Sequence, residues 1–267
     1  NAIEINKNNE EFFYGRSLVY SEMKEFENEM SDLNAAINIK NNYSKAYINR
    51  GLVNAKLGNF ETALEDLKKA IELNPYDENA FINTTLVYIM LEDYLRALQE
   101  IEKAIKINPY NPNTYNLRGE IKVKLNDYPS AKKDFDKAIS MNEMFYQAFF
   151  NRAQLLCNIQ QAEKALVDLN TTISINPNLN LALLLRAEVY HNLGNYKSEI
   201  EDLSALITLN NANANYYFKR GSAYIFTEEY NLALDDLSKS IEIDSTNSMA
   251  FAKRANANLA VQNMQEA

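Results

Sequence analysis

The feature that most constrains this chain is a repeat with a period of about 34 residues, which runs through the sequence without an insertion. When the sequence is shifted by one period, four columns of similar side chains align. The first column contains Tyr47, Phe81, Tyr115, Phe149, Leu183, Tyr217 and Phe251. The others contain Ala63, Ala97, Ala131, Ala165 and Ala233; Phe60, Tyr94, Tyr128, Tyr196 and Tyr230; and Pro75, Pro109 and Pro177. One supersecondary unit therefore repeats along the chain, as in a solenoid whose units contact only their neighbours.

The alignment divides the sequence into seven complete units and two incomplete ones. Residues 1–9 match the end of a unit, and residues 248–267 match the first part of an eighth. Because both ends cut inside a unit, we expect the sequence to be part of a longer protein that continues on at least one side. The complete units, called repeats 1 to 7, are residues 10–43, 44–77, 78–111, 112–145, 146–179, 180–213 and 214–247.

Each unit is predicted to form two helices joined by a short turn. In repeat 2, apolar residues recur at intervals of three and four over residues 45–57 and 61–73, a spacing typical of amphipathic helices. Gly58 and Asn59 predict the turn between them, and Asn74 followed by Pro75 predicts the end of the second helix. Gly51 and its equivalents are small, which indicates that the two helices approach closely there.

In its period and in its small, aromatic and proline positions, residues 1–267 resemble the tetratricopeptide repeat family. The resemblance implies an all-α fold, a right-handed superhelical solenoid of helix-turn-helix repeats. It also implies a concave surface lined by the first helix of each repeat. Proteins of this family hold peptides or partner proteins, so a protein or peptide partner is expected.

Two columns depart from the usual pattern of this family, which has leucine at the first of them. That column holds arginine in every complete repeat except the third, which has Thr84. The second column, on the second predicted helix of each repeat, holds aspartate except at Glu100 of the same third repeat. Because the two columns change together, we predict Arg–Asp bridges between the two helices, whose role is register rather than strength. Binding of a ligand by these arginines is the alternative. The pairs are Arg16 and Asp32, Arg50 and Asp66, Arg118 and Asp134, Arg152 and Asp168, Arg186 and Asp202, and Arg220 and Asp236, with Arg254 in the incomplete eighth unit.

The resemblance places a row of amides on the concave surface, at Asn49, Asn83, Asn116 and Asn151. A carboxamide both donates and accepts hydrogen bonds, so such a row can pair with the backbone of an extended peptide whatever its side chains. The alternative interpretation is that these asparagines are only solvated.

Farther along, the same inward positions become apolar. Residues 179–189 are apolar on more than one helix face, which indicates either an exposed contact site or the core packing of an irregular repeat. The second interpretation is supported by Glu199 and Leu206, which stand where Ala63 and Ala70 stand in repeat 2. The apolar positions are Phe150, Leu181, Leu184, Leu185, Phe218, Ile225 and Phe226.

One function known in the family is not expected. Repeats that bind the carboxylate tails of chaperones carry Lys, Asn, Asn, Lys and Arg at inward positions of three consecutive units. In repeats 2 to 4 those positions hold Ile48, Leu52, Asn83, Asn113 and Leu117, and only the central asparagine agrees. We therefore do not expect this chain to bind the carboxylate tail of a chaperone.

Composition argues against nucleic acid, a membrane or catalysis. The formal net charge is −9, whereas nucleic acids and anionic membranes require concentrated lysine and arginine. No apolar run is long enough to insert into a membrane. His191 is the only histidine and Cys157 the only cysteine, and phosphate-binding glycine loops are absent, so no catalytic residue, cofactor or metal is predicted.

The sequence therefore predicts a non-enzymatic scaffold that binds a peptide or partner protein on its concave face. Two alternatives remain open. The chain is either a regulatory or substrate-recruiting arm of a larger enzyme or assembly, or a module that associates with itself. The compartment is not indicated by the sequence.

Overall fold

The computed structural model of the chain describes residues 8–266, with side chains described as far as residue 262. Most of the predicted end of a preceding repeat, residues 1–7, lies outside the described residues. The described part is all-α, with 15 helices and no strand. The helices are α1 (Glu10–Met23), α2 (Phe26–Ile39), α3 (Ser44–Lys56), α4 (Phe60–Leu73), α5 (Glu78–Met90), α6 (Tyr94–Ile107), α7 (Pro112–Lys124), α8 (Tyr128–Met141), α9 (Tyr146–Asn158), α10 (Ala162–Ile175), α11 (Asn180–Asn192), α12 (Tyr196–Leu209), α13 (Ala214–Phe226), α14 (Tyr230–Ile243) and α15 (Ser248–Glu266).

The chain forms two compact units, one up to Glu143 and one from Met144. The N-terminal unit contains repeats 1 to 4, and the C-terminal unit contains repeats 5 to 7 and α15. Within each unit, every helix packs against the next one along the chain. The odd-numbered helices are the first helices of the repeats, and the even-numbered helices are the second.

The core of each repeat lies where its two helices cross, and small residues hold the helices close together. The alanine column described above is fully buried. Gly119 shows how tight this contact is, because a Cβ atom placed there would lie 2.5 Å from Cε1 of the buried Phe135. The period of the sequence therefore reflects the same close helix contact in each repeat.

The turn between the two helices uses the same backbone conformation in all seven complete repeats. One residue in each turn has a positive φ, at Lys24, Gly58, Glu92, Asn126, Gln160, Gly194 and Glu228. Only two of the seven are glycine, the residue that adopts this left-handed conformation without a steric cost. The conformation of the turn is therefore imposed by the packing of the helices it joins.

Several helices begin with a side chain that satisfies a free backbone N–H. Asp77 Oδ1 accepts from the N–H of Asn79 at 3.1 Å, and Asn111 Oδ1 accepts from the N–H of Asn113 at 3.0 Å. Both are N-caps, of α5 and α7. The many asparagines and aspartates at the repeat boundaries therefore contribute to the positions where the helices start.

Candidate functional site

The arginine and aspartate columns meet in all six complete repeats that carry them. In each pair, Nε and Nη2 of the arginine donate to the two carboxylate oxygens of the aspartate in the same repeat, at 2.6–2.9 Å. The aspartates are buried: Asp66, for example, is 4% exposed. This parallel two-bond geometry is specific for a guanidinium and a carboxylate. We call these pairs the arginine ladder.

The ladder arginines also link neighbouring repeats. Nη1 of Arg50 donates to Asn34 of α2 at 2.7 Å, and Nη1 of Arg186 donates to Asn170 of α10 at 2.7 Å. The guanidinium of Arg50 additionally lies over the ring of Tyr47, 5.4 Å from its centroid. A ladder arginine therefore joins its own second helix to that of the preceding repeat, which supports a role in the register of the stack. The hydrogen bonds to Asp66 raise the pKa of Arg50 further, so its charge is permanent.

The four asparagines of the predicted amide row have different surroundings. Asn49 is half-buried, and its Nδ2 donates to Tyr14 Oη of the preceding repeat at 3.3 Å. Asn83 and Asn151 are half-buried, whereas Asn116 is 7% exposed and its Nδ2 donates to Glu120 on its own helix at 2.6 Å. Asn49, Asn83 and Asn116 belong to the N-terminal unit and Asn151 to the C-terminal unit. The four side chains therefore differ in how accessible they are to a peptide backbone, and Asn116 is the most buried of them.

Most of the predicted apolar positions pack into the cores of their repeats. Phe150 and Leu185 pack against the core that contains Leu156 and Leu169. Leu184 packs against the core of repeat 6, and Phe218 and Ile225 against that of repeat 7. Leu181 and Phe226 are exposed, at 62% and 51%. Most of these side chains therefore pack in the core, as the second interpretation of this region expects. Among the predicted apolar positions, only Leu181 and Phe226 are exposed.

A cavity of about 410 Å³ lies among the first helices of the C-terminal unit. It is bounded by α11, α13 and α15, which are the first helices of repeats 6 and 7 and of the incomplete eighth repeat. The second helix α12 contributes one residue, Glu199, to the cavity. The lining residues are Ala187, Glu188, His191, Asn192, Glu199, Phe218, Lys219, Ser222, Met249 and Lys253, and we call this site the inner cavity.

The inner cavity lies at a repeat whose two helices contact each other through polar side chains. Glu199 is 3% exposed, and one of its carboxylate oxygens lies 2.9 Å from Nδ1 of His191. Burial raises the pKa of Glu199, an effect that the hydrogen bond from His191 partly offsets. In repeat 5 the two equivalent positions are Cys157 and Ala165, so this pair of polar side chains replaces a small apolar contact.

The cavity lining contains two lysines and two glutamates, and aromatic rings lie beside it. His191 makes edge contacts with Tyr196 and Phe226, and the latter two rings stack with centroids 4.4 Å apart. The ammonium of Lys253 lies over the ring of Phe226, 5.9 Å from its centroid. Lys219 Nζ contacts the half-exposed Glu188 at 3.1 Å. The site can therefore offer ammonium donors beside apolar surface, which suits a peptide with acidic and apolar side chains.

The sequence signal for the inner cavity lies in the comparison of whole repeats. His191 and Glu199 stand in two columns that are apolar in repeats 2 to 5 and 7, whereas repeat 1 has Ser21 and Glu29 there. Lys219 and Lys253 occupy the helix position that holds Asn49 and Asn83 in repeats 2 and 3. Comparing all columns repeat by repeat, rather than following one residue type, would have identified these four side chains together.

The described part of the chain contains neither a candidate metal site nor a candidate membrane-spanning helix. Residues 8–262 contain no group of three or more His, Cys, Asp or Glu side chains that could hold a metal ion. No helix among the described residues is both long and apolar enough to cross a membrane. The thiol of Cys157 is half-buried, and burial raises its pKa, which lowers the thiolate fraction that a nucleophile would need.

Comparison with known proteins identifies four segments that match models of the tetratricopeptide repeat family. They are residues 44–77, 112–143, 182–213 and 214–247. The segments coincide with repeats 2, 4, 6 and 7. A search of curated proteins finds no match.

Solved structures resemble the chain in fold. A tetratricopeptide repeat protein from Parabacteroides merdae has 20% identity, covers 93% of this chain and 98% of its own, and gives a TM-score of 0.63. Pseudomonas aeruginosa PilF has 18% identity, with 79% of this chain and 95% of its own covered and a TM-score of 0.67. A chain of the APC/C hetero-tetramer Cut9–Hcn1 has 14% identity over 96% of this chain, which spans half of that chain, with a TM-score of 0.69.

Proposed function

The chain belongs to the tetratricopeptide repeat family, whose members are generally non-catalytic scaffolds for protein–protein interaction, and from this premise we propose that it holds a peptide segment of a partner protein in the inner cavity. The segment binds along the face formed by the first helices of the C-terminal unit, the face that sequence analysis expects to be concave. The scaffold itself performs no catalysis. The partner is a protein or peptide.

The observation that carries the proposal is the composition of the inner cavity, in which three consecutive first helices each contribute side chains. The three helices belong to consecutive repeats, and a segment in extended conformation, which rises about 3.3 Å per residue, can contact side chains of all three.

The side chains in the cavity favour an acidic segment with an apolar residue. Lys219 and Lys253 occupy equivalent positions of α13 and α15 and would each pair with a carboxylate of the ligand. Phe218 and Met249 line the cavity, and they would cover an apolar side chain between the two charged contacts. Because the whole chain carries a net charge of −9, a local pair of lysines also gives the peptide a defined place to bind.

Selection of peptides from a random displayed library against the purified chain tests the proposal. We expect the selected peptides to contain acidic and apolar residues, and we expect Lys219→Ala and Lys253→Ala each to weaken their binding about five- to tenfold. Asn83→Ala is the matched control, because Asn83 holds the same helix position in repeat 3. It is expected to leave the affinity unchanged.

Two results would contradict the proposal. If no peptide in the library binds specifically, the chain does not recognise a peptide segment in this site. Peptides that lose affinity in Asn83→Ala but retain it in both lysine variants would move the site to the amide row. Unfolding of a variant is excluded by comparing its circular dichroism and melting temperature with those of the unmodified chain.

A further inference from the structure

A second cavity lies between the second helices of repeats 2 and 3. Its volume is about 850 Å³, and it is bounded by α4, α5 and α6. It lies entirely within the N-terminal unit and shares no residue with the inner cavity. The lining residues are Glu61, Leu64, Glu65, Lys68, Ile71, Glu72, Pro75, Phe81, Thr84, Tyr88, Glu100 and Lys103, and we call this site the outer cavity.

The outer cavity occurs at the repeat that lacks a ladder arginine. In repeat 2, the guanidinium of Arg50 lies between α2 and α4 and contacts Asn34 and Asp66. In repeat 3 the equivalent residue is Thr84, whose hydroxyl donates to the carbonyl of Ala80 at 2.8 Å within its own helix. Thr84 is 7% exposed and too short to reach α6 as an arginine does. The space of one arginine side chain is therefore open between α4 and α6.

The groups that receive a guanidinium in the other repeats are still present in repeat 3. Phe81 stands where Tyr47 and Tyr115 lie beneath Arg50 and Arg118, each 5.4 Å from the ring centroid. Glu100 stands in the aspartate column and keeps the carboxylate, one methylene longer. The aromatic face and the carboxylate of a cation site are thus both retained without the arginine of the other repeats.

The position of Lys103 shows that a cation is favoured at this point. Its Nζ lies 5.9 Å from the ring centroid of Phe81 and donates to Glu100 at 2.8 Å. The lysine side chain is 52% exposed, and it reaches Glu100 from three residues away on the same helix. A pair with a half-exposed lysine contributes little to stability, so an incoming cation with better geometry can displace it.

The remaining charges of the cavity also favour a cationic ligand. Four carboxylates, those of Glu61, Glu65, Glu72 and Glu100, line the cavity with the ammonium groups of Lys68 and Lys103, and a third ammonium, that of Lys69, lies 3.4 Å from Glu72. Lys68 stands in the column that holds Asn34, the residue that accepts from Arg50. Its ammonium opposes a second cation nearby, and Glu65, three residues earlier on α4, offsets part of its charge.

We propose that the outer cavity binds an arginine side chain supplied by a partner protein. The guanidinium stacks on Phe81, donates two hydrogen bonds to Glu100 and displaces Lys103, so that the partner completes the arginine ladder from outside. Arginine is favoured over lysine because the planar fork matches the carboxylate and the aromatic face at the same time.

Titration of the full chain with blocked amino acids, followed by NMR of backbone amides and methyl groups, tests this proposal. The probes are N-acetyl-arginine amide and its uncharged isostere N-acetyl-citrulline amide, at millimolar concentration. We expect saturable shifts at Thr84 and Ile71 with the arginine probe and none with the citrulline probe. Equal shifts with both probes, or no saturable shift with arginine, would overturn the proposal.

Two variants locate the site. Lys103→Ala removes the competing ammonium and is expected to increase the affinity for the arginine probe about two- to fivefold. Lys68→Asn/Thr84→Arg/Glu100→Asp gives repeat 3 the Arg–Asp pair of repeat 2 and gives α4 an asparagine equivalent to Asn34. This rebuilt variant is expected to abolish binding while retaining the helical spectrum. Undiminished binding to this rebuilt repeat would also overturn the proposal. If the rebuilt variant does not fold, Lys103→Ala alone tests the proposal. An unchanged or lower affinity of this variant for the arginine probe would contradict displacement of Lys103 by the ligand.

Discussion

The inner and outer cavities lie in different units of the molecule, and each occurs at a repeat that departs from its neighbours. The outer cavity arises by loss, because Thr84 replaces a side chain that would fill the space between two second helices. The inner cavity arises by gain, because His191 and Glu199 introduce ionisable groups in two columns that are apolar in repeats 2 to 5 and 7. In a repeat protein, the shared residues build the stack, and the positions that break the pattern are the first candidates for specific recognition.

The largest expected difference in stability is between a repeat that has the Arg–Asp pair, repeat 2, and the repeat that lacks it, repeat 3. Asp66→Ala is expected to lower the free energy of unfolding by about 3–5 kcal/mol, because it leaves Arg50 partly buried without its carboxylate. Glu100→Ala removes only the partner of the half-exposed Lys103 and is expected to change stability by less than about 1 kcal/mol. Chemical denaturation of the two variants measures the difference.

A double substitution distinguishes pairing from simple loss of a buried side chain. In Arg50→Ala/Asp66→Ala no charge is stranded, so part of the loss caused by Asp66→Ala should be recovered. Absence of any coupling between the two substitutions would remove the ladder as a structural element.

An intermediate effect is expected from the buried glutamates that replace the column alanine. Glu29 and Glu199 hold this position in repeats 1 and 6, and each is 3% exposed. One oxygen of Glu29 has no hydrogen-bond partner among the described residues, whereas Glu199 has His191. Glu29→Ala is therefore expected to stabilise the protein at pH 7 by about 1–3 kcal/mol, and Glu199→Ala by less.

The stabilisation caused by Glu29→Ala should increase with pH. Burial raises the pKa of Glu29 above its usual value of 4.5, so ionisation opposes folding. The cost is absent below pH 4.5 and develops as the pH rises through the pKa of the folded state. Denaturation midpoints measured from pH 4 to pH 7 should therefore show the benefit of Glu29→Ala growing with pH; a benefit that shrinks with rising pH would contradict the assignment.

The smallest expected effect concerns the turn between the two helices of a repeat. Gly58 and Glu92 occupy the same turn position in repeats 2 and 3, with φ of 82° and 57°. Gly58→Glu is expected to cost about 1–2 kcal/mol, and Glu92→Gly to stabilise by up to about 1 kcal/mol after the entropy of glycine is included. Thermal unfolding of the two variants measures both stability changes. If both substitutions stabilise or both destabilise the protein, the positive φ of the turn is not the cause of the effect.

The fold was predictable because each repeat supplies the same evidence again. The period, the small residues and the turn signals gave α3 and α4 to within one residue at each end, as 45–57 and 61–73 against Ser44–Lys56 and Phe60–Leu73. The pairing of Arg50 with Asp66 followed from two columns that change together. Both inferences depend on local chemistry that does not vary between repeats.

The candidate site was less predictable because its exposure depends on neighbouring helices. Leu184 and Phe218 look available on a single helix, yet adjacent helices cover them in part. Asn116 stands near the position of Asn49 and Asn83 but is enclosed and bonded to Glu120. The period alone fixes which helix a residue belongs to and does not fix how much of its side chain the next helix covers.

Hydrogen–deuterium exchange of the chain with and without a selected peptide tests whether the inner cavity holds the peptide. We predict that slowed exchange on peptide binding is confined to the first helices around the inner cavity, α11, α13 and α15. The variant Lys219→Ala/Lys253→Ala should lose this protection at the same peptide concentration. Protection confined to second helices, or protection that survives in the double variant, would contradict the assignment of the inner cavity as the site where the scaffold holds its partner.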